Sequence, residues 1–381
     1  MINFKKQTIC FATICKNEEH CIQNTLESVY KYIDYWIICD TGSTDGTQEI
    51  ITNFFKEKNI PGELFTDEWI GFGYNKTLMM ERAKNKADYI LHFDADDILV
   101  GDFNFTNNEA GWDAYLFRIK RGTIDYTSTI LYDAKHSWKF CGVAHTIIRC
   151  LTKLDYTTKD LTSMDCYLSS EDIGARSFDL EKYLRDAEKL KQQFFDTLVE
   201  DPDGLNTRSA FYTAQSYLDA NKITEAIQWN KLYTQLKNTW IEEEFEANLR
   251  IAKCLIFLNK PVDDVINQMK KTINIFSNRS EPYFYLGRYL NVVGKFEDAY
   301  NYLKRAQQND LEIIKKEYTL FVEKTCYGKY IKDELAVSCY WLGKYKEGLD
   351  LINTIIDDPD FDKHKQRLTD NIGHFNIKLN D

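Results

Sequence analysis

Two continuous apolar runs near the start of the chain, 8–15 (Thr-Ile-Cys-Phe-Ala-Thr-Ile-Cys) and 35–40 (Tyr-Trp-Ile-Ile-Cys-Asp), are short and rich in β-branched and aromatic residues. They read as buried strands. Between and after them the period changes. Ile22, Leu26, Val29 and Ile33 recur at helical spacing, as do Ile50, Ile51, Phe54 and Phe55. This predicts helices over 19–33 and 45–58, with a third over 73–87, and further strand-like runs at 88–93, 114–119 and 146–150. Strands and helices in alternation predict a mostly parallel sheet with helices on its faces.

In open α/β sheets a ligand sits beyond the carboxyl ends of the strands. The places to look are therefore Cys15-Lys16-Asn17, Asp40-Thr41-Gly42-Ser43 and Asp94-Ala95-Asp96-Asp97, all unusually polar. From about residue 178 the pattern becomes continuously helical, which places a boundary between 160 and 178 and suggests domains over 1–170 and 171–381. Four helical segments there resemble one another and end in Asn221-Lys222, Asn259-Lys260, Gly294-Lys295 and Gly343-Lys344. The turn-to-turn spacings of 38, 35 and 49 residues are close to the ~34 of a tetratricopeptide unit, apart from an insertion before the last. The second half thus reads as a degenerate tetratricopeptide-like array, whose concave groove could take a protein partner.

Composition narrows the class. Among 381 residues, 59 acidic and 48 basic side chains are interleaved and leave a net charge of −11, which argues against a nucleic-acid partner. No charged start leads into an apolar h-region, and no run reaches the ~18 apolar residues of a spanning helix. Ten cysteines form no Cys-x-x-Cys pair, and several lie in apolar periodic segments. Reduced core residues of a soluble cytoplasmic protein are the expectation. High Asn, Lys, Ile and Tyr with five Pro resembles the codon bias of an AT-rich genome.

The candidate chemistry centres on the acidic run. Asp94, Asp96 and Asp97 at a strand end repel one another unless a cation sits among them, and Mg²⁺ or Mn²⁺ takes carboxylate oxygen while bridging phosphates. A solvated loop is the plainer reading. Asp40 ends its strand with a carboxylate placed to accept from a base or ribose, and Gly42 and Gly46 permit the tight turn that follows. Asp45 and Gln48 have the spacing of a capping box. Arg176 and Lys182, at the junction of the halves, would either neutralise a diphosphate or form ion pairs at a helix start.

Taken together, Ile14-Cys15-Lys16-Asn17-Glu18-Glu19 through Leu26-Glu27-Ser28-Val29, then Asp40-Thr41-Gly42-Ser43-Thr44-Asp45-Gly46-Thr47, then Phe93-Asp94-Ala95-Asp96-Asp97 resemble three motifs of the family 2 glycosyltransferases, in order and spacing. Trp69 and Asn75 before the acidic motif, and Trp138, Gly142, His145 and Gly174-Ala175-Arg176-Ser177 after the sheet, resemble one branch that continues into tetratricopeptide-like repeats, found in bacteria and large DNA viruses. The resemblance implies a GT-A fold and a metal-dependent, inverting transfer of a hexose or N-acetylhexosamine from a nucleotide diphosphate, most often UDP, to a glycan, lipid-linked or protein hydroxyl. By it, Asp40 contacts the nucleoside, Asn17 and Asn75 line the nucleotide pocket, and Asp94 and Asp96 hold the diphosphate through Mn²⁺ or Mg²⁺. His145 is a candidate metal or phosphate ligand.

The expected donor-binding set is Cys15, Asn17, Asp40, Gly42, Ser43, Asn75, Asp94 and Arg176, with Asp94, Asp96 and His145 for the metal. Asp97, Glu171 and Asp172 are open as the general base. Two departures stand out: Thr41 where the family has a second Asp, and Thr146 where the branch has Glu after the motif His. The second gives weight to a rival, a nucleotide-sugar-binding scaffold without catalysis. A nucleotidyltransferase fits less well, because Cys15-Lys16-Asn17-Glu18 is not a Gly-rich basic loop.

Overall fold

The computed structural model describes residues 7–105, 109–122, 124–170, 173–179 and 181–380. The chain divides into two compact units, Met1–Glu225 and Ala226–Asp381.

In the first unit, strands β1 (Ile9–Cys15), β2 (Tyr35–Asp40), β3 (Gly62–Thr66) and β4 (Tyr89–His92) pair in parallel in the order β3-β2-β1-β4. All seven residues of β1 are buried, as a central strand covered on both faces requires. The sheet continues through β5 (Ile98–Gly101), β6 (Ala114–Arg121), β7 (Ile124–Asp133), β10 (Thr158–Asp160) and β11 (Cys166–Ser169), now mixed, in the order β4-β7-β6-β11-β5. A separate hairpin joins β8 (Trp138–Cys141) to β9 (Ile147–Cys150). Helices α1 (Ile22–Val29) and α2 (Thr47–Lys58) pack a core of Phe11, Ile22, Leu26, Ile51 and Phe55 on one face of the sheet. Helix α3 (Phe72–Ala83) covers the other through Met79, Met80 and Ala83 against Cys10, Ile37 and Ile90.

Asp45 does not build the expected capping box. Its carboxylate takes the Thr47 N–H (3.1 Å) and hydroxyl (2.6 Å) together with the Glu19 N–H (3.2 Å). The nearer threonine satisfies it, and Gly46 is the residue that precedes α2.

The change to helical structure falls between β11 and α4 (Lys182–Asp196), yet α4 and α5 (Asn206–Asp219) belong to the first compact unit. Hydrogen bonds account for this. Gln193 accepts from the Val143 N–H (2.9 Å) and donates to Ser209 (2.6 Å), while Lys139 pairs with Asp203 (2.9 Å).

Helix α6 (Ile223–Tyr233) carries the chain into the second unit, which holds α7 (Ile241–Phe257), α8 (Val262–Ile275), α9 (Glu281–Val292), α10 (Phe296–Ala306), α11 (Leu311–Glu317), α12 (Lys329–Trp341), α13 (Tyr345–Asn353) and α14 (Lys365–Asn380). The four repeated turns are one device used four times. Asn221, Asn259, Gly294 and Gly343 all have positive φ, and the following Lys N–H reaches back to Tyr217, Leu255, Leu290 and Cys339 carbonyls at 2.8–3.0 Å. This is a Schellman cap, which needs a left-handed residue and so favours Gly or Asn. Small residues then let paired helices close up. A Cβ on Gly287 of α9 would lie 2.5 Å from Leu303 of α10.

The insertion that stretched the last spacing comprises α11 and an extended strap around 318–323, tied down by buried charge. Glu242 accepts from the Thr319 and Leu320 N–H groups (2.9 and 2.7 Å), and Arg279 donates to the Leu320 and Phe321 carbonyls (3.0 Å each). Arg279 and Glu281, paired at 2.7 Å, are both fully buried. All ten cysteines are free and buried.

Candidate functional site

The carboxyl ends of β1 and β2 open into two turns that hold each other. Asn17, in the left-handed region (φ 57°), donates its N–H to Ser43 Oγ (2.8 Å) and accepts from the Thr44 N–H through Oδ1 (2.8 Å). The Glu18 N–H reaches Thr47 Oγ1 (2.8 Å), and Glu19 accepts from the Gly46 N–H (3.0 Å). Asp40 is completely buried, and its Oδ1 accepts from the N–H groups of Gly42 and Ser43 at 2.8 Å each. Its Oδ2 faces the Cys15 thiol at 3.8 Å. Burial first, and then the Asp40 charge, push that thiol far up, so Cys15 is a neutral wall. Cys15, Asn17, Asp40, Gly42 and Ser43 therefore come together, with Asp40 shaping the turn by its own hydrogen bonds.

The acidic turn follows β4. Asp94 is exposed, Ala95 buried, Asp96 half-buried and Asp97 buried. The Asp97 N–H closes the turn on the Asp94 carbonyl (3.1 Å), and Thr25 Oγ1 fixes it from below by donating to the Ala95 carbonyl (2.7 Å). Asp96 Oδ2 accepts from the Gly174 N–H (2.9 Å), so close that a Cβ on Gly174 would lie 2.5 Å from that oxygen. Glu18 accepts from the Ala175 N–H (3.1 Å), and His20 Nε2 lies 2.6 Å from the Ile173 carbonyl. The segment 173–175 is thereby fastened to the turns after both β1 and β4.

Charge is unevenly distributed here. Lys76 Nζ lies 2.6 Å from Asp94 Oδ1. Its positive charge, with Arg176 adding to it, holds the Asp94 carboxyl below its ordinary range. Asp97 goes the other way: burial, then the Asp94 and Asp96 carboxylates, push it up to about 8 against a bond from Ser170. Burial and Lys76 lower His92 to about 4, so this imidazole, bonded through Nδ1 to the Ala12 carbonyl (2.8 Å), is neutral.

Helix α3 supplies one wall. Asn75 is buried, and its amide is tied to the loop before the helix: Oδ1 accepts from the Ile70 and Gly71 N–H groups (3.0 Å each), and Nδ2 donates to the Glu68 carbonyl (2.9 Å). Trp69 packs edge-on to Phe72 (4.8 Å). Trp138 is a core residue donating to the Asp133 carbonyl (2.9 Å), and the missing side chain of Gly73 on α3 lets the Gly142 carbonyl approach, where a Cβ would lie 2.7 Å from it. Arg176 forms the ion pair that was one of the two sequence-based alternatives. Its Nη2 donates to both Asp186 oxygens (2.8 and 2.9 Å), its guanidinium lies over the Phe72 ring (4.8 Å), and it adds to the positive field on Asp94. Lys182 starts α4 and lies over Tyr183 (4.6 Å).

His145 is exposed and stacks face to face on Tyr212 of α5 (4.1 Å, 15°), and Arg208 lies over the same ring (4.5 Å). Tyr126 lies within electrostatic reach of Asp94, Asp97 and Tyr212. Among the described residues, the compact sets able to hold an ion are Glu18–His20–Cys21 and Asp113–Asp133–His136. Asp94, Asp96 and His145 do not form a third. Glu171 and Asp172 lie outside the described residues. Asp94 and Asp96, two hard carboxylates on one turn with the first open to solvent and ionised, nevertheless suit an oxygen-preferring divalent ion.

Sequence reasoning did not find Lys76, the residue directly after Asn75, although helical spacing from Phe72 places it on the wall of the site. It also missed Tyr212 and Arg208, which carry no motif.

The family model for glycosyl transferase family 2 matches residues 10–103, a stretch that takes in nearly all of β1 through β4, the turns after β1 and β2, and the acidic turn. The match supports a glycosyltransferase-type activity. No curated protein matches the chain. Among solved structures, a tetratricopeptide repeat protein from Parabacteroides merdae is 14% identical with TM-score 0.38, covering 53% of this chain and 69% of that one. MamA from Desulfovibrio magneticus RS-1 is 12% identical with TM-score 0.35 (46% and 86%). BtubC from P. vanneervenii is 12% identical with TM-score 0.39 (54% and 85%).

Proposed function

We propose that this protein transfers a sugar, with inversion, from a nucleotide diphosphate donor to a hydroxyl acceptor, and that it uses Mn²⁺ or Mg²⁺ to do so. The observation that carries the reading is the juxtaposition of an open, ionised Asp94 with the interlocked turns after β1 and β2, at the carboxyl edge of parallel strands. The nucleoside would lie against the turn shaped by Asp40, with Asn17, Gly42 and Ser43 at its edge. Uridine is the base we favour, by the resemblance described above.

Asp94 and Asp96 would hold the divalent ion, which when bound offsets the charge of the leaving diphosphate. Asp97 has the raised proton affinity that a base working near neutral pH requires, and we assign it that role among the described carboxylates. The scaffold rival draws on Thr146 alone. Thermal stabilisation by UDP, GDP and their sugar conjugates, each with and without Mn²⁺, tests the reading, because a ligand that binds only the folded state raises the midpoint. A metal-dependent shift followed by sugar release to an acceptor supports it. No shift with any nucleotide overturns it, and a shift without turnover under any acceptor identifies the scaffold.

A further inference from the structure

The ammonium of Lys76 carries more information than an ion pair usually does. It is anchored on α3, its side chain is 12% exposed, and its hydrogen-bond partner among the described residues is Asp94 Oδ1 at 2.6 Å. An ammonium has three donors, so two have no acceptor among the described residues, in a nearly enclosed position. The rest of its surroundings is aromatic, with the Phe72 and Phe140 rings 5.9 and 5.7 Å from Nζ. These attract a cation without fixing its direction.

We propose that Lys76 is a displaceable internal cation. It neutralises Asp94 while no ligand is bound, yields that carboxylate to the incoming divalent ion, and turns its open donors onto the diphosphate of the donor nucleotide. The inference rests on the transferase reading above. Its physical basis is that a divalent ion and an ammonium on one carboxylate oxygen repel each other. A compact ammonium on a flexible four-carbon stem can relocate, and it suits phosphate as a point charge. Lys76 would thus raise selectivity as well as affinity: a metal ion alone meets a competitor, whereas a metal ion arriving with diphosphate gives the competitor somewhere to go.

The test compares the intact chain with Lys76→Met and Lys76→Arg. Binding of Mn²⁺ alone is measured from the electron paramagnetic resonance of the free ion, and binding of UDP and of uridine, in saturating Mn²⁺, by calorimetry. Methionine keeps the stem on the aromatic rings, and unchanged thermal midpoints establish that the variants fold. Lys76→Met should tighten Mn²⁺ alone by about tenfold and weaken UDP by at least about tenfold, with uridine unchanged; Lys76→Arg should recover part of the UDP affinity. If Lys76→Met leaves Mn²⁺ unchanged, or weakens UDP and uridine alike, the displaceable role is overturned while the transferase reading stands. An unaltered chain that binds no UDP at any Mn²⁺ concentration overturns both.

Discussion

Particular carboxylates, taken from each unit, do opposite things. In the unit spanning 226–381, Glu281 spends both oxygens on the chain itself: Arg279 Nη2 and the Glu323 N–H on one, Arg279 Nε and the Tyr327 hydroxyl on the other. Glu242 likewise accepts two backbone N–H groups of the strap. Glu281 has both oxygens taken by the chain, so this charge is mortar. In the unit spanning 1–225, Asp94 faces solvent and is balanced by one ammonium that is itself under-used. The comparison teaches that burial and ionisation do not by themselves mark a site; hydrogen-bonding capacity left open toward solvent is the better sign.

Breaking each kind of carboxylate should separate them cleanly. Arg279→Ala strands a buried carboxylate and should lower stability by about 3–5 kcal/mol in urea denaturation; a loss under 1 kcal/mol would mean the strap is not held by charge. Asp94→Asn should weaken metal-dependent UDP binding by about 100-fold while changing stability by less than about 0.5 kcal/mol, as an exposed side chain allows. The reverse outcome, lost stability with retained binding, would make Asp94 mortar too. Gly174→Ala forces a methyl group onto Asp96 Oδ2 and should cost about 2 kcal/mol, read from the thermal midpoint.

Asp113 sharpens the comparison from inside the first unit. It is buried and saturated by Lys153, Thr157 and His136. Burial would raise its carboxyl, but those partners hold it well below the ordinary range. A carboxyl depressed in the folded state contributes stability that is complete above its unfolded pKa near 4 and fades as pH falls toward the folded value. Asp113→Asn should therefore remove about 1–2 kcal/mol at pH 7 and flatten the fall in stability below about pH 4. An unchanged acid limb would show that saturation, as defined here by hydrogen bonds, is not what stabilises.

Much of this was legible beforehand, for reasons that can be named. The fully buried β1, and β2 buried from its second residue on, announce themselves as unbroken apolar runs, and α2 appears within two residues of its observed start. Strand β3 was missed because it is a half-exposed edge of only five residues, and β8 because Trp138-Lys139-Phe140-Cys141 is too short to show a period. The repeat turns were visible as Asn-Lys and Gly-Lys pairs, and the structure gives the cause, a left-handed cap recurring at each. The acidic turn was found from composition at a strand end. What could not be read was partnership across long separations: that Asn75 would serve the loop at 68–71, that Gly174 would bring its N–H to Asp96 across 78 residues, and that a lysine would already occupy Asp94.

The ten buried thiols, spread over β1, β2, the β8–β9 hairpin, β11, α7 and α12 as well as the loops beside α1 and η-helical residues 324–326, make the native chain its own set of clocks. A thiol reagent can reach each sulfur only when the backbone around it opens, so the ten labelling rates report ten local opening free energies. Resolved by mass spectrometry, they would give a map of cooperativity for each unit without the introduction of a single probe.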